Sequence, residues 1–263
     1  MTTEQLSSRK NTILRTVVET HIETSQPVGS KYIAEKYAFS FSPATVRNDM
    51  CELEERGYLT HPHTSSGRIP TDHGYRYYLD HMPFEQILPA GYFDKAAQEL
   101  APAPGEGGVE DLLDRVSLML SAMSQEVGLT LLPFPGSRSS ERPERLKLSL
   151  QGLAHILEKP EFQDVRKARC LLGAMEEKIT LMNWVLRHAN AEHVSVSVGH
   201  EHEHEALEDC AIVTARYHAG EGRQGVIAIV GPKRMAYRQI VPLVSRMAVA
   251  VGDVLEHRES EDR

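Results

Sequence analysis

The chain has 263 residues, 41% hydrophobic and 25% charged, enough for a sizeable core and a length that fits about two domains. No run approaches the roughly 18 apolar residues of a membrane span, and the first six residues lack a basic cap and an apolar stretch. Neither a membrane segment nor a secretion signal is therefore expected. Net charge is −8, from 29 basic and 37 acidic residues, but residues 1–82 hold nine Lys/Arg and ten Asp/Glu, a net of −1. The acidity lies downstream, and a near-neutral domain binds DNA when its cations face one way, so composition does not exclude nucleic acid. Cys51, Cys170 and Cys210 form no CxxC pair and suit a reduced, cytoplasmic setting better than a disulfide framework.

Punctuation divides the chain into residues 1–82, a Pro/Gly-rich linker over 83–108 and a region from 109 to 263. In the first, Ile13, Leu14, Val17, Val18, His21 and Ile22 recur at helical spacing and predict a helix over about 6–22. Gln26-Pro27-Val28-Gly29 forces a turn, and Ser30 can cap a short helix over 31–37. Ser42-Pro43 opens a third helix, with Ser as N-cap and Pro where a missing N–H costs nothing; Gly57 reads as its C′ residue.

That third helix has two faces. Val46, Met50 and Leu53 should anchor it, while Ala44, Asn48 and Cys51 lie opposite, flanked by Thr45 and Arg47. Small and amide side chains at its N-terminal end suit the major groove: Asn pairs with adenine, Arg with guanine, and Ala or Thr methyls touch thymine. Glu52, Glu54 and Glu55 should point out of the groove. An ordinary solvated face could carry the same residues, and the following segment weighs against that. Tyr58-Leu59-Thr60 and Arg68-Ile69-Pro70 predict two short strands around the acid-free loop 61–67, a wing on which Ser65, Ser66 and Arg68 would position the duplex. His61 and His63 read as neutral hydrogen-bonding loop residues. The aromatic cluster of the next helix, over 71–79, reads as core packing. The ensemble is a winged helix-turn-helix.

Downstream, Leu112, Leu113, Val116, Met119, Leu120 and Met123 predict a helix over 109–127. Val165, Ala168, Leu172, Met175, Ile179, Met182 and Leu186 alternate three and four apart, either a heptad seam for a second copy or a helix packed on its own sheet. Strands are expected over 193–198, 210–218 and 224–230, then a helix from Met235 to Leu255, which makes the region α+β. His200, His202 and His204 would share one face if extended, offering a Zn or Ni site or, more blandly, a solvated loop. Lys233 and Arg234 read as an anion contact or an exposed turn. There is no Gly-x-Ser-x-Gly elbow, P-loop, His-Glu-x-x-His or glycine fingerprint, so no enzyme and no cofactor is expected. A metal hydrolase built on the three histidines is the strongest enzymatic alternative.

Several runs resemble one family, the heat-inducible transcription repressor HrcA. They are Gln26-Pro-Val-Gly-Ser30, Ser42-Pro-Ala-Thr-Val-Arg-Asn48, Leu53-Glu-Glu-Arg-Gly-Tyr-Leu59, His63-Thr-Ser-Ser-Gly-Arg-Ile-Pro-Thr-Asp72 and Gly74-Tyr75-Arg76. Lys159-Pro-Glu-Phe162, Val198-Gly199, Tyr217 and Gly231-Pro-Lys-Arg-Met235 with Tyr237 extend the likeness. The resemblance implies a winged helix followed by a GAF-like domain with a dimerising insertion. It also implies repression of chaperone operons by a dimer on an inverted-repeat operator, kept active by the GroEL-type chaperonin. The chain crosses from Phe134 to Leu146 through 135–145 alone. The first GAF-like strands and much of the insertion are therefore expected to be missing, leaving a reduced domain. Two other readings remain: a winged-helix regulator answering a small ligand or metal downstream, and a chaperonin-interacting module that no longer represses.

Overall fold

The computed structural model describes residues 6–36, 42–62, 67–82, 108–135, 147–189, 193–220 and 222–261, with the side chains of 133–135 and 258–261 outside the description. The chain divides into two compact units, residues 1–83 and 84–263, and the expected linker lies almost wholly outside the described residues.

In the first unit, helix α1 (Ser8–Thr24) starts where Ser7 Oγ accepts the Lys10 amide and buries Ile13, Leu14, Val17 and Val18. It begins and ends two residues later than the apolar stripe alone suggests, because the Ser7 cap sets its first turn. Helix α2 (Ser30–Lys36) buries Ile33, and α3 (Pro43–Glu55) follows the Ser42 cap. Strands β1 (Leu59–Thr60) and β2 (Ile69–Pro70) pair antiparallel, Leu59 with Pro70 and Thr60 with Ile69. Helix α4 (Asp72–Asp80) is capped by Thr71 and buries Tyr75, Tyr77, Tyr78 and Leu79, so the aromatic cluster is core. Tyr58 meets Tyr77 edge-on at 5.3 Å. Gly74 is obligatory there: a Cβ would stand 2.1 Å from the Tyr58 carbonyl oxygen.

The second unit is a five-stranded antiparallel sheet in the order β4-β3-β7-β6-β5, with helices against both faces. Helix α5 (Val109–Ser124) leads into β3 (Val127–Pro135) and β4 (Leu148–Gln151); α6 (Leu153–Leu157), α7 (Val165–Glu176) and α8 (Lys178–His188) follow. Strands β5 (Ser195–Val198), β6 (Cys210–His218) and β7 (Arg223–Pro232) then lead to α9 (Tyr237–Glu261). Val127, Leu129 and Leu131 of β3 share one core with Leu171, Met175, Leu181, Trp184 and Val185 of α7 and α8. Alternate β3 residues face α5: Thr130 Oγ1 donates to the Leu113 carbonyl at 3.0 Å, and a Cβ on Gly128 would lie 2.1 Å from the Ser117 oxygen.

Three expectations change. Helix α5 ends at Ser124, and Gln125, in the left-handed region at φ 56°, turns the chain so that Val127 opens a strand. Strands β3 and β4, which the sequence reading did not predict, stand on either side of 136–146, and the interval of the expected missing segment lies outside the described residues. Finally, residues 163–189 are not one helix. The chain breaks at Glu177 (φ −75°, ψ 76°), and the apolar faces of α7 and α8 pack on their own sheet. Val165 and Ile179, two members of the expected seam, are 73% and 48% exposed.

Candidate nucleic-acid interface

Helix α3 begins with a local hydroxyl pair. Ser42 Oγ accepts the Thr45 amide at 3.2 Å and lies 3.0 Å from Thr45 Oγ1. Pro43 occupies the first helical position, and Val46, Met50 and Leu53 anchor the inner face. Ser42, Ala44, Arg47 and Asn48 are exposed, whereas Thr45 is half-buried beneath its cap contact. The exposed set therefore gathers at the N-terminal end of the helix, where two polar side chains and a methyl can meet base edges. Ser65 and Ser66 lie outside the described residues.

Sequence reasoning missed Asp49, three residues after Val46 and on the same inner face. The residue is 1% exposed, and its carboxylate accepts a two-pronged contact from Arg9 of α1, Nε at 2.6 Å and Nη2 at 2.9 Å. Lys10, one residue on, pairs with Glu52. The position of Asp49 within the Val46–Met50–Leu53 stripe was the available signal: an acid there must find a partner.

The remaining acids are not simply turned to solvent. Glu54 Oε2 accepts from Arg68 Nε at 2.7 Å, and Oε1 meets His61 Nδ1. Arg68, expected to position the duplex from the wing, has a side chain 19% exposed and its Nε engaged with α3. Its backbone pairs in both directions with Val28 at 2.9 Å, tying the base of the β1–β2 loop to the turn before α2. Burial works against ionisation of Glu54, but the contacts with His61 and Arg68 outweigh it and hold the carboxyl below its ordinary range.

The downstream candidates resolve differently. The three histidines are not on one extended face, because residues 199–202 and 205–207 form 3-10 turns. His202 is buried, its Nε2 3.1 Å from the Cys210 carbonyl oxygen and its ring 4.8 Å from that of Trp184. His200 and His204 are exposed, and among the described residues no group of three His, Cys, Asp or Glu is placed to hold a metal ion. A cleft of about 290 Å³ lies beside Trp184, bordered by Leu181, Asn183, Arg187, Glu203 and Leu207. Lys233 and Arg234 are half-buried and opposed by acids: Arg234 grips Glu161 with two nitrogens, and Lys233 Nζ is 4.0 Å from Asp209.

The Lys159–Phe162 and Gly231–Met235 runs meet at Glu126. Its carboxylate, 4% exposed, accepts from Lys159 at 2.8 Å and lies against Gly231, where a Cβ would stand 2.6 Å from Oε2. Burial pushes the carboxyl up to about 7, with Lys159 and Arg234 opposing the rise.

The profile of the HrcA protein C terminal domain matches residues 135–241. A protein of Pelotomaculum thermopropionicum named heat-inducible transcription repressor HrcA is 28% identical, covering 96% of this chain and 97% of that protein. Its counterpart in Geobacter sulfurreducens is 29% identical, covering 95% and 98%. The first alignment runs over 344 positions against a chain of 263 residues, so the relatives are longer. A crystal structure of a hypothetical protein shares the fold, with a TM-score of 0.75 at 20% identity, covering 95% of this chain and 99% of the other. Among the described residues no helix is long and apolar enough to cross a membrane. Through the matched C-terminal profile and relatives aligned along nearly the full length, this chain is similar to the heat-inducible transcription repressors named HrcA.

Proposed function

We propose that this chain is a sequence-specific DNA-binding repressor of chaperone operons, cytoplasmic and without enzymatic activity. It acts as a homodimer on an inverted-repeat operator, under modulation by the GroEL-type chaperonin. The observation that carries this reading is the N-terminal end of α3, where Ala44, Arg47 and Asn48 are exposed together on a helix anchored by Val46, Asp49, Met50 and Leu53. Three helices followed by a two-stranded ladder support reading the unit as a winged helix-turn-helix. The five-stranded sheet with helices on both faces supports a reduced GAF-like domain downstream. The relatives' printed names support the heat-inducible repressor role, while the dimer and the chaperonin rest on the resemblance of the sequence runs alone.

Arg47 and Asn48 read bases, Ala44 and Thr45 offer methyl contact, and Ser42 touches phosphate while capping the helix. Ser65, Ser66 and Arg68 belong to the wing. Arg47→Ala lowers operator affinity by about 1–3 kcal/mol and relaxes choice at one base position, measured by binding to single-substitution operator duplexes. Equal loss on operator and random DNA overturns the base-reading role and leaves a phosphate contact.

A further inference from the structure

The charges around the β1–β2 pair are arranged as one clamp, which rests on the DNA-binding reading above. His61 directly follows β1 and Arg68 directly precedes β2, so the two side chains mark the two ends of the loop between the strands. Both reach the same carboxylate on α3: Glu54 Oε1 meets His61 Nδ1, and Oε2 accepts Arg68 Nε at 2.7 Å. A carboxylate only accepts, so His61 presents its proton on Nδ1 in this contact. The clamp is braced from behind, because the Arg68 backbone exchanges two hydrogen bonds with Val28. A Cβ on Gly67 would lie 2.8 Å from the Pro27 backbone carbon, so the loop base abuts the turn before α2.

We propose that Glu54 is a positioning residue for DNA recognition, holding both ends of the wing loop on the helix that carries Arg47 and Asn48. Glu54 lies two turns beyond those residues on the same rigid element. Fixing the loop to it therefore fixes the distance between base-reading side chains and wing. A duplex that satisfies one meets the other in register only while the clamp is closed, which converts wing contacts into operator preference. The clamp also withholds Arg68 from indiscriminate phosphate contact, since its Nε is held by the carboxylate. Opening it should move specific and non-specific binding in opposite directions.

The experiment measures affinity of the full chain for a duplex with the family's inverted repeat and for a scrambled duplex, at one salt concentration, for the native sequence, Glu54→Gln, His61→Gln, Arg68→Gln and the Glu54→Gln/Arg68→Gln pair. Glu54→Gln is expected to weaken operator binding about ten-fold while scrambled-duplex binding holds or strengthens, as a negative charge is lost and a guanidinium released. His61→Gln, at an exposed position, is expected to shift the ratio in the same sense by a smaller factor. Arg68→Gln combined with Glu54→Gln should lose less than the two single effects together, since both open one clamp. Equal strengthening on both duplexes would make Glu54 a merely repelling charge and overturn the proposal, as would unchanged ratios in Glu54→Gln and His61→Gln. Parallel weakening on both duplexes, with His61→Gln unchanged, would assign a folding role and overturn it too. A native chain with no operator preference fails the DNA reading itself, and the clamp falls with it.

Discussion

The two units handle buried acid in opposite ways. In the first, Asp49 is sealed beneath α3 yet receives two nitrogens from Arg9, whose own side chain reaches solvent. In the second, Glu126 is sealed between the start of β3 and Gly231 with one lysine contact on Oε1, while Oε2 is buried without a hydrogen-bond partner. A buried carboxylate with only one cationic contact gains by holding a proton, which is the case of Glu126. The ion pairs of the first unit thus tie α3 to α1. Glu126 makes the second unit sensitive to pH.

The largest consequence falls on Glu126. Its carboxyl is raised from 4.5 to about 7, so between those values the folded state keeps a proton that the unfolded chain has released. The stability this group contributes is complete below pH 4.5 and is lost as pH rises through 7. The difference in unfolding free energy between the native sequence and Glu126→Gln should shift by about 3 kcal/mol from pH 4.5 to 7.5, the native protein losing ground as pH rises. Denaturant titrations at several pH values check this, and a constant difference would show that folding does not raise the Glu126 carboxyl.

A smaller effect tests the other side of the comparison. Asp49→Ala removes the inner partner of Arg9, but Arg9 can turn to water, so the cost should be about 2 kcal/mol. Thermal unfolding of the variant would reveal an earlier melting of the first unit. Melting that is unchanged would mean α3 is held by Val46, Met50 and Leu53 alone.

The smallest expected effect concerns the expected seam. Val165 and Ile179 stand on the outer sides of α7 and α8, so replacing each with Lys should alter stability by less than about 0.5 kcal/mol and leave the oligomer intact. Light scattering after gel filtration provides the readout. A dimer that dissociates on either substitution would restore the seam as a contact between copies.

What was legible in the sequence, and what was not, follows the range of the interactions. The α3 cap depends on Ser42, Pro43 and Thr45, all within one turn, and the structure forms the expected contact. The 210–218 strand was recognisable from its own residues and its turn, and β6 occupies those residues. Strand β3 was not, because it is buried on both faces: Val127, Leu129 and Leu131 face one core while Thr130 faces α5, leaving no polar alternation to mark it. The heptad seam failed for a related reason. Spacing cannot reveal the break at Glu177, and once α7 and α8 turn separately, Leu171, Leu181 and Trp184 rather than Val165 and Ile179 meet the sheet. At the candidate interface, exposed residues of α3 were readable from periodicity. The partners of Asp49 and Glu54 were not, since Arg9 lies 40 residues from the first and Arg68 lies 14 from the second.

On the proposed function, α3 reads an inverted repeat as part of a dimer. Fluorescence-anisotropy titration of a duplex carrying the family's inverted repeat, against a scrambled duplex at the same salt, tests it most directly. Binding to the repeat is expected to be tighter by about 10³ or more and cooperative across both half-sites. Equal, weak and salt-sensitive binding to both duplexes, unchanged when the chaperonin is added, would contradict it.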